Sequence, residues 1–164
     1  MDFVETRMSI AFLQIKVGTI LLLLILIGIL LSLTNMNPSS SLYSLKRGQE
    51  KVFLSLKPTA EAKADYLSTL LDERLEELSK LVENGRSSYL TSASLRYSTT
   101  VGELTNLIND NNLPQKDQII KKLNRHKNEM KRLIEIYPAD DTEHKYLIDD
   151  LNYLNIYLEK LATS

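Results

Sequence analysis

Residues 67–82 read LSTLLDERLEELSKLV. A leucine or valine returns every three or four residues, and charged or hydroxyl side chains fill most positions between. The repeating set is Leu67, Leu71, Leu75, Leu78 and Val82. A helix turns about 100° per residue, so this spacing places the set on one face. The segment therefore predicts an amphipathic α-helix that packs against other helices.

The same spacing recurs on both sides of this segment. The apolar sets are Leu42, Leu45, Val52, Phe53 and Leu56 in a first stretch, Leu90, Tyr97, Val101, Leu104 and Ile108 in a third, Ile119, Leu123, Met130, Leu133 and Tyr137 in a fourth, and Leu147, Leu151, Leu154, Leu158 and Leu161 in a fifth. No stretch shows the sustained alternation of a strand. The predicted fold class is all-α: a short linker helix whose apolar face packs onto an antiparallel up-down four-helix bundle, with helices of about 22 residues.

Helix-breaking residues separate these stretches. Pro58 precedes the second, Asn84-Gly85 ends it, and Pro138 follows the fourth. Pro114 is expected at the first position of the fourth helix. Gly102 and many hydroxyl side chains lower the helix propensity of the third stretch, which is therefore expected to be the weakest helix.

Upstream of the bundle, residues 17–33 form an apolar run without a charge. About 20 such residues cross the hydrocarbon core of a membrane, so the run predicts a transmembrane helix. A cleaved signal peptide is the alternative, although its apolar region is normally about 7–15 residues long. The predicted organisation is a cytoplasmic tail at 1–16, an anchor at 17–34, a linker at 35–41 and the bundle at 42–164.

Charge near the run predicts its orientation and limits the partners. Lys16 abuts the run, whereas residues 34–45 carry no charge. The positive-inside bias thus favours a cytoplasmic N-terminus and an extracytoplasmic C-terminal domain in the cell membrane. A formal net charge of -1 argues against a general nucleic-acid partner, and the absence of cysteine excludes disulfides and thiolate metal sites.

The linker carries a family resemblance. Residues 38–47 read PSSSLYSLKR, and residues 71–78 read LDERLEEL. The first block resembles the pattern P-x-S-x-L-Y-x-L-K-R of a bacterial family of unknown function that follows a single membrane span, and the second is similar to its acidic helical segment. The resemblance covers roughly residues 38–83. It implies an anchored, extracytoplasmic, helical protein without an established activity.

Residues suited to catalysis or metal binding are few. His126 and His144 are the only side chains with a near-neutral pKa, and neither has a second histidine three or four residues away. The Glu-x-x-His pairs of dinuclear carboxylate bundles do not occur. Asp110 lies in an asparagine-rich turn that lacks the spacing of a calcium loop. We therefore predict no catalytic residue, no metal site and no cofactor.

Two helix faces are candidate partner surfaces. In the fourth helix, Lys121, Arg125 and Arg132 line up opposite the apolar residues. They form either a solvated face whose edges pair with acidic neighbours or a docking stripe for an anionic partner. In the fifth, Tyr146, Tyr153 and Tyr157 edge the leucine face, where they either widen the core or stack on a ligand, and Ile156 points away from the leucines.

Three classes of function fit these features. The first is a non-enzymatic, membrane-anchored extracytoplasmic interaction or sensor domain, whose partners are the lipid bilayer and an unidentified protein or envelope polymer. The second is a cytoplasmic-facing membrane scaffold that binds anionic lipid or a soluble partner through the basic fourth helix. The third, an envelope enzyme, is disfavoured by the lack of a catalytic grouping.

Overall fold

A computed structural model describes residues 16, 18, 19, 28 and 42–163, with the side chains of residues 42–45 left out. The described chain contains five α-helices and no strand. They are α1 (Leu42–Ser55), α2 (Ala60–Glu83), α3 (Leu90–Asn111), α4 (Lys116–Ile136) and α5 (His144–Thr163), with a 3₁₀ turn at Ser87–Tyr89. The prediction of an all-helical bundle is thereby confirmed for these residues.

The predicted transmembrane anchor, residues 17–34, lies outside the described residues except at 18, 19 and 28. Within the described part of the chain, no helix combines the length and the apolarity that a membrane crossing needs.

Helices α2 to α5 enclose one apolar core. The innermost side chains include Leu71, Leu78, Leu90, Leu104, Ile108, Leu123, Met130, Leu133, Leu147 and Leu154. These residues come from the four predicted apolar faces, so the helical periodicity correctly identified the core. Burial of this apolar surface is the main term that stabilises the four helices together.

The order of neighbours around the bundle is not the chain order. Helix α2 packs against α3 and α4, and α5 packs against α3 and α4, so α3 and α4 occupy opposite corners. Lys122 contacts Ser68, and Arg132 contacts Glu83, so α2 and α4 run in the same direction. The expectation that short loops join antiparallel neighbours therefore holds for α2–α3 and α4–α5, whereas α3 and α4 do not pack along their lengths.

Two helix ends follow the predicted signals. Beyond α2, Gly85 has φ +63°, and the Arg86 N–H donates to the Leu81 carbonyl at 2.9 Å. Beyond α3, Asn112 has φ 47°, and the Leu113 N–H donates to the Ile108 carbonyl at 3.0 Å. In both turns a left-handed residue lets the next N–H satisfy a carbonyl at the helix end.

Two local predictions were wrong. Pro114 is not the first helical residue, because buried Leu113 closes the end of α3 and the chain needs further residues to turn before α4 begins at Lys116. In α1, Val52 and Phe53 are exposed, whereas Leu54 packs against the core. Because Leu54 directs the last turn of α1 toward the bundle, Val52 and Phe53 point to solvent, and Leu56 just beyond the helix is exposed as well.

Candidate functional site

A polar layer crosses the apolar core, and each of the four long helices contributes one residue to it. The Tyr97 hydroxyl of α3 lies 3.2 Å from Nδ1 of His126 on α4, and Nε2 of His126 lies 2.9 Å from Oδ1 of Asp72 on α2. Burial raises the pKa of the Tyr97 phenol, and the nearby carboxylate of Asp150 on α5 raises it further. We call Asp72, Tyr97, His126 and Asp150 the polar layer.

The histidine in this layer is almost inaccessible, with 1% of its surface exposed. Burial lowers the pKa of His126, and this effect outweighs the hydrogen bond with Asp72, which raises it. The neutral imidazole therefore donates through Nε2–H to Asp72 and accepts from the Tyr97 hydroxyl at Nδ1.

Asp72 is the outer end of the layer, and it contacts two cations as well as the neutral His126. Burial raises the pKa of the Asp72 carboxyl, but hydrogen bonds from Lys122 and His126 more than compensate, so its pKa lies below the usual value. The carboxylate pairs with Lys122 through Oδ2 and with Arg125 at 3.5 Å. One acid on α2 thus holds three basic side chains of α4.

Asp150 is the inner end and is the least compensated member. It is 1% exposed, and its Oδ2 has no hydrogen-bond partner among the described residues. Burial raises the pKa of Asp150 to about 8, although the Ser94 hydroxyl lowers it, and nearby Asp149 raises it further. A carboxyl in this environment is protonated at neutral pH.

Residue spacing within a single helix does not reveal this layer. Residues three or four positions from His126 lie on its own helix, whereas its partner Asp72 is 54 positions away on α2. The signal available in the sequence was a polar residue within the apolar face of α4, at the i+3 position from Leu123 and the i−4 position from Met130.

The structure places the predicted basic stripe on the outside of α4. Lys121 and Arg125 are exposed, and the Arg125 side chain is 70% accessible. Arg125 also contacts Asp72, and the neighbouring Lys122 reaches the Ser68 carbonyl at 2.9 Å. The stripe therefore borders the contact between α2 and α4.

Arg132 is engaged more fully than the other two. Its guanidinium contacts Glu83 of α2 at 2.8 Å and Glu129 of its own helix at 2.6 Å. The hydrogen bonds that Arg132 donates to Glu129 and then to Glu83 raise its pKa. At this end of the stripe, the basic side chain is paired with acidic neighbours.

The tyrosines of α5 separate into two groups. Tyr146 and Tyr157 are half-buried, whereas Tyr153 is 46% exposed and stacks on Tyr157 with 6.4 Å between ring centroids. Ile156, predicted to point away from the leucines, is 56% exposed, and Ile148 is 40% exposed. The outer face of α5 thus presents apolar side chains to solvent.

Gly102 has a packing role that the sequence did not indicate. A Cβ at this buried position would lie 2.7 Å from the Tyr157 hydroxyl oxygen and 3.2 Å from Cζ of its ring. The missing side chain makes room for Tyr157 between α3 and α5. The glycine that lowers the helix propensity of α3 therefore leaves the space that the end of the Tyr157 side chain fills.

Among the described residues, no group of three or more histidine or carboxylate side chains is placed to hold a metal ion.

Comparisons with known proteins give one match. Neither the curated proteins nor the solved structures include a match to this chain. The profile of the family described as Domain of unknown function (DUF5667) matches residues 35–150, which span the linker, α1 to α4 and the first residues of α5. The matched region includes the linker block and the acidic segment of α2 that suggested a family of unknown function. The chain belongs to the family Domain of unknown function (DUF5667).

Proposed function

We propose that this protein is a non-enzymatic interaction or sensor protein of the cell membrane. Residues 17–34 anchor it as a single-pass helix, and the bundle of alternating up and down helices is displayed outside the cytoplasm. The apolar run and the Lys16 flank support the anchor and its orientation.

The observation that carries the interaction role is the outer face of α5. Leu147, Leu154 and Leu161 seal the core, yet Ile148, Tyr153 and Ile156 of the same helix are exposed. A helix whose only task is to close a bundle is normally polar on its outer side. Exposed apolar side chains grouped on one helix face indicate a contact surface for a partner.

A second candidate is a cytoplasmic-facing scaffold that binds anionic lipid or a soluble partner through Lys121, Arg125 and Arg132. The exposure of Lys121 and Arg125 favours it. The pairing of Arg132 with Glu83 and Glu129 weighs against it, because those carboxylates already compensate part of the positive charge that an anionic surface would recognise.

The first test is membrane topology. Reporters active only outside or only inside the cytoplasm are fused after Ser164 in the full-length chain. An outside signal from a membrane-retained product supports the proposal. An inside signal overturns the orientation and favours the scaffold. An outside signal from a shed, shortened product shows that residues 17–34 are a cleaved signal.

The second test concerns the α5 surface. A photo-crosslinking amino acid replaces Ile156 in the membrane-bound chain, and the matched control replaces Asn128, which is exposed on α4. Adducts formed from position 156 and absent from position 128 support a contact surface on α5. Equal labelling at both positions contradicts it.

A further inference from the structure

Five residues form the outermost line of α5. They are Lys145, Ile148, Asn152, Ile156 and Glu159, and all five are exposed. Their spacing of three, four, four and three residues keeps them within about 80° of the helix circumference. They lie opposite the leucines that face the core. We call this line the outer stripe.

The outer stripe is symmetric about Asn152. An isoleucine stands four residues away on each side, and a charged residue stands seven residues away on each side. The two charges are opposite, since Lys145 is basic and Glu159 is acidic. A line with this order is complementary to a copy of itself that runs in the opposite direction.

We propose that the outer stripe of α5 binds the outer stripe of a second copy of this chain, antiparallel, about a two-fold axis at Asn152. Ile148 then packs against Ile156 of the second copy, and Lys145 faces the second copy's Glu159. This inference rests on the proposed interaction function and names its partner.

The chemistry of the pairing assigns a separate role to each residue. The isoleucines supply the apolar contact, because both are exposed in the isolated chain. Two Asn152 amides at the axis donate to and accept from one another, and a polar residue inside such a seam fixes its register. The charged pairs at the rim select the direction more than they add affinity.

A parallel pairing is disfavoured by the same residues. It would bring Lys145 against Lys145 and Glu159 against Glu159, and like charges in register destabilise a helix pair. The isologous antiparallel contact also closes on itself, so it yields a dimer and not a filament.

The contact is small, since one helix face buries less surface than a standard stable interface. The membrane anchor compensates for this, because chains confined to one membrane meet at a high effective concentration. Lys145 reaches the second copy by leaving the ring of Tyr146, which its Nζ overlies at 5.0 Å. That contact is exposed and therefore weak.

The absence of cysteine makes the test direct. Full-length Asn152→Cys, in membranes, is treated with a short bismaleimide that joins two nearby thiols. The antiparallel dimer predicts efficient cross-linking of Asn152→Cys to itself. Lys145→Cys alone and Glu159→Cys alone are expected to cross-link poorly, since equivalent positions are about 21 Å apart along the pair. A mixture of these two variants is expected to cross-link.

The exposed position Asn128 on α4 supplies the control for random collision, as Asn128→Cys. Cross-linking of Asn152→Cys at only the control level overturns the proposal. The proposal is also overturned if Lys145→Cys and Glu159→Cys each self-link as efficiently as Asn152→Cys, because that pattern belongs to a parallel pair. An Asn152→Cys adduct with a different protein overturns self-pairing and leaves the interaction function intact.

Charge reversal tests the direction independently. Lys145→Glu or Glu159→Lys is expected to lower the cross-linked fraction of Asn152→Cys several-fold, and the two reversals together are expected to restore it. No restoration overturns the Lys145–Glu159 pairing. The topology reporter is measured in every variant. A chain that keeps its outside signal but never self-links contradicts this inference and leaves the proposed function intact.

Discussion

Asp72 and His126 are 54 positions apart in the chain, yet Oδ1 of the carboxylate lies 2.9 Å from Nε2 of the imidazole. The same carboxylate contacts Lys122 and Arg125. This cluster connects the α2–α3 hairpin to the α4–α5 hairpin. It also links the outside of the bundle to the buried hydroxyl of Tyr97, which contacts the other side of the imidazole ring.

Removing the Asp72 charge is expected to lower the pKa of His126 further. Burial already holds this pKa below 6.5, and the Asp72 hydrogen bond and charge oppose burial. In Asp72→Asn the attraction of the carboxylate is gone, while burial and the charges of Lys122 and Arg125 still lower the pKa. NMR titration of the imidazole C–H signals measures the change. Glu76→Gln, an exposed change on the same helix, is the control and should leave the titration unaltered. An unchanged or higher pKa of His126 in Asp72→Asn would contradict the assigned contact between His126 and the Asp72 carboxylate.

Replacing His126 is expected to change how stability depends on pH below neutrality. The folded state favours the neutral imidazole, so its contribution is present above the unfolded pKa of about 6.5 and is lost as pH falls through the lower folded pKa. His126→Gln does not titrate. Its free energy of unfolding, measured by urea denaturation from pH 7 to pH 5, should therefore fall less steeply than that of the parent chain. Equal slopes would refute this.

The free energy of unfolding of Asp150→Asn, relative to that of the parent chain, is expected to increase as the pH rises toward the alkaline range. The pKa of Asp150 is raised to about 8 in the fold. Its stabilising contribution is therefore complete below the unfolded pKa of about 4 and declines by about 1.4 kcal/mol per pH unit until pH passes the folded pKa. The asparagine cannot ionise, so this decline disappears.

Urea denaturation at pH 5, 6, 7 and 8 measures the effect of the Asp150 substitution. The advantage of Asp150→Asn over the parent chain should grow across the series. Asp149→Asn, a substitution at the exposed neighbouring position, is the control. Its free energy of unfolding should decline with pH almost as much as that of the parent chain. Parallel profiles for Asp150→Asn and the parent chain would show that Asp150 does not carry the raised pKa.

Adjacent lysines of α4 are expected to differ in their contribution to stability. Lys122 donates to the Ser68 carbonyl at 2.9 Å and pairs with Asp72, and its side chain is 12% exposed. Lys122→Ala should lower the free energy of unfolding by about 1 kcal/mol. Lys121→Ala, a fully matched change on the exposed side, should stay within about 0.5 kcal/mol of the parent chain. Equal losses would contradict the assigned α2–α4 contact.

Gly102→Ala should destabilise the protein despite the better helix propensity of alanine. The added Cβ would lie 2.7 Å from the Tyr157 hydroxyl oxygen. Overpacking costs about 1–3 kcal/mol, against a propensity gain of about 1 kcal/mol. Thermal unfolding measures the balance. In a Tyr157→Phe background the nearest atom is gone, so the loss should shrink. An equal loss in both backgrounds would point to a cause other than this contact.

The core was predictable because it is encoded locally. The apolar spacing of residues 67–82 and of the three later stretches depends only on the pitch of a helix, and most of these residues are buried in the bundle. The stop at Gly85 was equally local, because a left-handed residue ends a helix through its own backbone. The exposure of Ile156 followed from the same geometry.

The polar layer was not predictable in this way. Whether Asp72 meets His126 depends on α2 and α4 being parallel neighbours, and no periodicity within either helix states which neighbour it has. Gly102 shows the same limit, since the sequence of its own helix indicates only a lowered propensity, whereas the space it leaves is filled by Tyr157 of another helix. The displacement of Pro114 from the helix start arose because Leu113 is drawn into the core.

The sequence by itself determined the helices, their buried faces and the resemblance to a family of unknown function, because these depend on residue types at short spacing. Only the tertiary structure decided which helices are neighbours, which charges pair and which polar groups lose water. Those outcomes arise from contacts between residues about 50 positions apart, where the energies of packing and desolvation are set by the assembled bundle and not by any one segment.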